Sequence, residues 1–128
     1  QRVLQRRMEI VDQIFAKLEQ QLADFTQTEE YLELLRGRIR RTIEYLGAGK
    51  KKIILTEADR ERWPQLADEF AEVVLETEKR QTKSGMIGGC QGYQEDGNVF
   101  YDDSFAGQIQ EQREHFLQGM AAELKIIE

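Results

Sequence analysis

Hydrophobic positions recur along this chain in two rhythms. From residue 1 to residue 25 there is no Gly or Pro, and Leu4, Met8, Val11, Phe15, Leu18, Leu22 and Phe25 follow one another at steps of four and three. That is the rhythm of a helical seam. Val3, Ile10 and Ile14 widen it, and at about 100° per residue the whole set spans roughly 160° of the helix circumference. A two-stranded seam is narrower. A helix this broadly apolar is expected to touch two things, a partner helix and its own domain. An ordinary core helix accounts for the same pattern without a partner.

Thr26 and Glu29 match a capping box, which predicts a second helix from there. Tyr31, Leu35, Ile39, Ile43 and Leu46 share one face, with Leu32 and Leu34 beside it, and Gly47 and Gly49 end the pattern. The second rhythm follows. Ile53-Ile54-Leu55 is a short continuous apolar run, as in a buried strand. Thr56 is placed to cap a short helix reaching Trp63, where Pro64 stops it, and Leu66, Ala67 and Phe70 carry a helical face onward. Val73 to Leu75 reads as a second strand, and Met86 to Tyr93 as a third with Gly88, Gly89 and Gly92 inside it. Lys79, Arg80 and Lys83 are expected in the loop between them. Asp96-Gly97-Asn98 is a hairpin signal and Val99 to Tyr101 the fourth strand. Asp102, Asp103 and Ser104 suit the start of a last helix running to Glu123 or beyond. Its stripe is Phe105, Ile109, Phe116, Met120, Leu124 and Ile127, and Arg113 intrudes on it without an apparent reason.

These elements predict an α+β chain. A long N-terminal helix leads into a small head, in which helices pack a mixed, mainly antiparallel sheet of about four strands, closed by a C-terminal helix. At 128 residues one core is the natural expectation, and it needs no disulfide or metal staple. No apolar run approaches the ~20 residues that cross a bilayer. Gln1 falls in the middle of a helical pattern with no Met, so a fragment with an upstream natural terminus is expected.

Charge changes the picture in one place. The net charge is −6, which disfavours nucleic acid as a partner. Within that acidic chain, residues 36–52 carry +6 and residues 53–78 carry −6. Arg36, Arg38, Arg40 and Arg41 form a candidate docking patch for an acidic protein partner; a solvated face is the plainer reading. The acidic strip is equally able to answer it from within the molecule.

Reactive chemistry finds little support. The glycine cluster has no Lys after it, so it is not a phosphate loop. Glu95, Asp96, Asp102 and Asp103 lack the alternation of a calcium loop and suit turns and caps. Cys90 and His115 are the only residues of their kinds, too few for a metal site. No catalytic residue, cofactor or metal ligand is expected.

The run Gly88-Gly89-Cys-Gln-Gly-Tyr-Gln-Glu-Asp-Gly97-Asn-Val-Phe-Tyr-Asp102-Asp-Ser104-Phe105, followed by Glu111, Gln112 and Arg113, resembles the closing signature of the E subunit of V-type and A-type rotary ATPases. Ile54-Leu55-Thr56 through Asp59 and the spacing of Tyr31 and Leu35 are also similar to that family, so the resemblance covers most of residues 28–124. Cys90 and Gly92 stand where the family more often has larger apolar residues. The resemblance implies a non-catalytic stator. Residues 1–25 would be the end of a coiled-coil-type stalk helix and residues 26–128 a globular head. Leu4, Met8, Val11, Phe15, Leu18 and Leu22 would meet a second helical stalk subunit of the G type. The head would dock on the catalytic A and B subunits, resisting torque during ATP-coupled proton or sodium transport. The setting would be cytoplasmic, membrane-associated only through the complex. The stator of a flagellar or type III secretion export ATPase shares this plan and is the alternative.

Overall fold

The computed structural model describes residues 2–79, 85–96 and 98–127, with side chains described as far as Glu123. Arg80 and Lys83 of the expected loop, Gly97 of the expected hairpin turn, and the side chains of Leu124 and Ile127 lie outside the described residues. The elements are α1 (Arg2–Phe25), α2 (Glu30–Leu46), β1 (Lys51–Leu55), α3 (Glu57–Arg62), α4 (Leu66–Glu69), β2 (Val74–Thr77), β3 (Gly89–Gln94), β4 (Phe100–Ser104) and α5 (Phe105–Ile127).

The four strands form one sheet in the order β2-β1-β3-β4. β1 and β2 are parallel, with Ile53 opposite Leu75. β1 and β3 are antiparallel, as are β3 and β4. The architecture is the expected α+β, a long helix followed by a mixed, mainly antiparallel sheet and a closing helix. Helix α2 lies on one face of the sheet. Its apolar positions Tyr31, Leu35, Ile39 and Leu46 join Ile53, Leu55, Cys90 and Phe105 in the main core. Trp63, Leu66, Phe70 and Val73 close the side nearest α3 and α4.

Two glycines in β3 make this packing possible. Gly89 has φ +77°, and a Cβ there would sit 2.5 Å from the Asp103 carbonyl oxygen. A Cβ on Gly92 would sit 2.5 Å from Thr42 Cγ2 and 3.0 Å from Ile53 Cδ1, so α2 comes closer to the sheet than any side chain allows. Ile87 also has positive φ, 68°, which breaks the extended run and starts β3 at Gly89 instead of Met86.

Local signals fare unevenly. Thr56 caps α3, accepting from the Asp59 N–H at 3.1 Å. Gly47 caps α2 with φ 76°. Thr26 and Glu29 form no capping box. The Thr26 hydroxyl donates back to Ala23 O at 2.6 Å, so Thr26 finishes α1, and Glu29 sits in helical φ/ψ with no side-chain cap bond. Asp102 and Asp103 belong to β4, and only Ser104 caps α5, accepting from the Gly107 N–H at 3.0 Å.

Helices α1 and α5 pack antiparallel. Thr26 and Phe105 both lie against Gly88 at one end, Asp12 meets Arg113 midway, and Arg7 and Glu123 share a groove at the other. Val11, Phe15 and Ile109 form a second, smaller core between them, flanked by Leu18, Leu22, Ile87 and Leu117.

Candidate functional site

The arginine cluster on α2 is built into the fold. Arg36 donates to Glu69 on α4, at 2.8 Å from Nε and 2.7 Å from Nη2, and also to Glu33. Arg38 donates to the Asp103 carbonyl and to Gln108 Oε1, both at 2.9 Å, while its guanidinium lies 4.8 Å over the Phe105 ring. Arg41 grips the Asp103 carboxylate with Nε and Nη2, the first at 2.9 Å. Arg40 lies 6.0 Å over Phe70 and is exposed. Three of the four arginines therefore fasten α2 to β4, α4 and α5. Part of the acidic strip does answer them: Glu69 takes Arg36, and Glu76 pairs with Lys52.

A buried polar network that the sequence did not announce sits under α2. The Tyr31 hydroxyl donates to Asp59 Oδ2 at 2.6 Å and accepts from the Gly89 N–H at 2.7 Å. Burial, with the Asp59 charge next to it, drives the Tyr31 phenol well above its ordinary value. Burial likewise raises the Asp59 carboxyl, against the bonds from Tyr31 and Thr56. The only hint in the sequence is a tyrosine on an otherwise aliphatic helix face. The network ties α2, α3 and β3 together; it opens on no reactive group.

Cys90 is fully buried, 3.4 Å from Thr42 Oγ1, and burial pushes its thiol up to about 12. A thiol in that state is not a nucleophile at neutral pH. His115 is exposed on α5. Among the described residues no three of His, Cys, Asp and Glu gather as metal ligands, and no helix is long and apolar enough to cross a membrane.

One apolar surface left bare is the outside of α1 with the adjoining part of α5. Of the expected seam, Val11 and Phe15 are seated against α5 of the same chain at 4% and 9% exposure, with Leu18 and Leu22 beside them. Leu4 is 40% exposed and Met8 half-buried. The residues that widened the seam stand outside it: Val3 is 68% exposed, Ile10 47% and Ile14 56%. Phe116, expected in the core stripe of α5, is 50% exposed, because α1 covers α5 only on the side of Ile109 and Leu117. Arg113 now has a reason: it pairs with Asp12 and lies 5.7 Å over the Phe15 ring, pinning α5 to α1. A groove of about 500 Å³ runs between Ile10, Val11 and Ile14 on one side and His115, Phe116, Gly119 and Met120 on the other.

The family model for the ATP synthase (E/31 kDa) subunit matches residues 1–124. The E subunit of the A-type ATP synthase of Methanothermobacter thermautotrophicus is 35% identical over 103 residues, covering 75% of this chain and 50% of that protein. The chain therefore spans about half the length of this curated relative. With a match across nearly all its residues, on a fold with a long helix and a small mixed-sheet head, the chain belongs to the E-subunit family of V/A-type ATP synthases.

Proposed function

We propose that the chain is a non-catalytic element of the peripheral stalk of a V/A-type rotary ATPase. It holds the catalytic hexamer still while the rotor turns, during ATP-coupled proton or sodium transport. Residues 1–25 act as the end of the stalk helix and residues 26–128 as the head. A second helical subunit of the G type lies along α1. Leu4 and Met8 meet it, while Val11, Phe15, Leu18 and Leu22 hold α1 against the head. The head docks on the A and B subunits, with Arg40 the member of the arginine cluster most available for an acidic partner. The chain is held on the cytoplasmic side of the membrane through the complex alone.

The observation that supports this reading best is the bare apolar strip of Val3, Leu4, Ile10 and Ile14 on a helix whose other side is anchored to α5. Exposed apolar surface of this extent and regularity marks an interaction site. A torque-bearing part also needs a stiff head, which a closed core cross-braced by Arg36, Arg38 and Arg41 supplies. The test is co-purification of the tagged chain from cells containing the complex. Recovery of the catalytic subunits with a helical companion is the expected result, with Arg40→Glu weakening retention most at low salt. Recovery of export-apparatus proteins, or of no ATPase subunit, would refute it.

A further inference from the structure

Strand β2 lies at one edge of the sheet and pairs with β1 alone among the described residues. At its end the Glu78 amide donates to Leu55 O at 2.8 Å. Backbone groups alternate in direction along a strand. Val74, Glu76 and Glu78 therefore turn theirs to β1, and Leu75 and Thr77 turn theirs outward. Outside the β1 pairing, no hydrogen bond among the described residues reaches the amide or carbonyl of either. Beside this edge is a cleft of about 90 Å³ walled by Leu55, Trp63, Leu66, Ala67 and Leu75. That is the volume of about three water molecules, enough for one aliphatic side chain. Arg60 also lines the cleft and is exposed, with Nη1 3.4 Å from Thr77 Oγ1. No ion pair among the described residues involves it.

We infer that β2 accepts an extended segment of another protein as a fifth strand, with an aliphatic side chain of that segment in the cleft and a carboxylate two residues away on Arg60. A row of outward amides and carbonyls is matched by an extended backbone, whereas a helix spends its own backbone groups internally. Residues two apart on a strand share a face. Leu75 and Thr77 are two apart, and the first lines the cleft while the second meets Arg60. A guest strand alongside repeats that spacing, which fixes the pattern as aliphatic, any residue, acid. Charge argues against a second copy of this chain. Two β2 strands joined antiparallel through Leu75 and Thr77 set Glu76 opposite Glu76, and like charges so placed are destabilising. The face they would present to Arg60 carries Leu75 and Thr77 and no acid. The stator reading assigns no partner to this edge, and the inference stands without it.

The test is fluorescence anisotropy of a labelled peptide of about eight residues, with Leu as the anchor and Glu two positions on, titrated with the chain. Saturable binding is expected. Replacing the peptide's Leu by Ala should weaken it at least about tenfold, and replacing its Glu by Lys about fivefold. Methylating alternate amide nitrogens of the peptide should abolish binding in one phase and spare it in the other, because every second amide faces β2. Ala67→Leu fills the cleft from an exposed position and should lose binding at least about tenfold with the melting temperature unchanged. Arg60→Glu should reverse the preference for Glu over Lys. Absence of binding would overturn the inference. So would equal binding of the Leu and Ala peptides, or indifference to methylation in both phases. A dimer in sedimentation velocity that the peptide dissolves would put a second copy on the edge and overturn it as well.

Discussion

Around α2 and the sheet, Tyr31, Leu35, Ile39, Ile53 and Leu55 have no exposed surface at all. Between α1 and α5 only Val11, Phe15 and Ile109 are buried among the described residues, while Val3, Ile10, Ile14 and Phe116 are exposed. Both regions are built from the same kinds of residue at the same helical spacing. They differ in how many elements close over them. The main core is walled by α2, the four-stranded sheet, α3 and α4, and its polar atoms are matched by Tyr31–Asp59 and the Asp103 arginines. The second is covered from one side only. The contrast separates a core closed on all sides from a seam with one side open to solvent.

Deletions should rank accordingly. Leu35→Ala removes a fully enclosed side chain and should cost about 3 kcal/mol in a urea melt of the isolated chain. Phe15→Ala deletes more carbon but should cost less, about 2 kcal/mol, since the thin α1–α5 seam can settle into the gap. A Phe15→Ala cost exceeding that of Leu35→Ala would erase the distinction between the two regions. Gly92→Ala should cost about 2 kcal/mol as well, by pushing α2 off the sheet at Thr42. An unchanged melting temperature would show that the close approach is not required.

A smaller effect probes the polar part of the closed core. Burial raises the folded Asp59 carboxyl above its ordinary value of 3.8. An acid raised in this way adds stability that is complete below the unfolded value and is lost as pH climbs through the folded one. Relative to Asp59→Asn, the wild type should therefore be most favoured near pH 3 and lose ground toward pH 7. A difference between the two chains that stays flat, or grows with pH, would contradict this. Smallest of all, Ile14→Ala should alter the stability of the isolated chain by less than about 0.5 kcal/mol.

The division between the regions also decided what the sequence could reveal. The periodic faces of α1 and α2, the Thr56 cap, the Gly47 stop and the succession of strands along residues 53–104 were all legible, because each rests on local spacing or a single backbone conformation. Long-range pairing was not. Thr26 looked like a helix start because a capping box depends on residue types that serve a helix end equally well. Nothing local signalled that Asp103 would be buried under Arg38 and Arg41, more than sixty residues away in sequence. Arg113 looked misplaced until Asp12 and Phe15 lay opposite it. Of the two contacts expected from the broad apolar face of α1, the structure holds the one with its own domain. Which residues serve the domain and which face outward was settled only when α5 took the side of Val11 and Phe15.

Hydrogen exchange of the chain tests most directly whether the α1–α5 seam is the less stable of the two regions. Amides of residues 3–14 in α1 should exchange through a local opening, well before those of β1 and β3. If α1 exchanges only with global unfolding, at the same rate as the sheet, the two regions are one cooperative unit and the contrast between them fails.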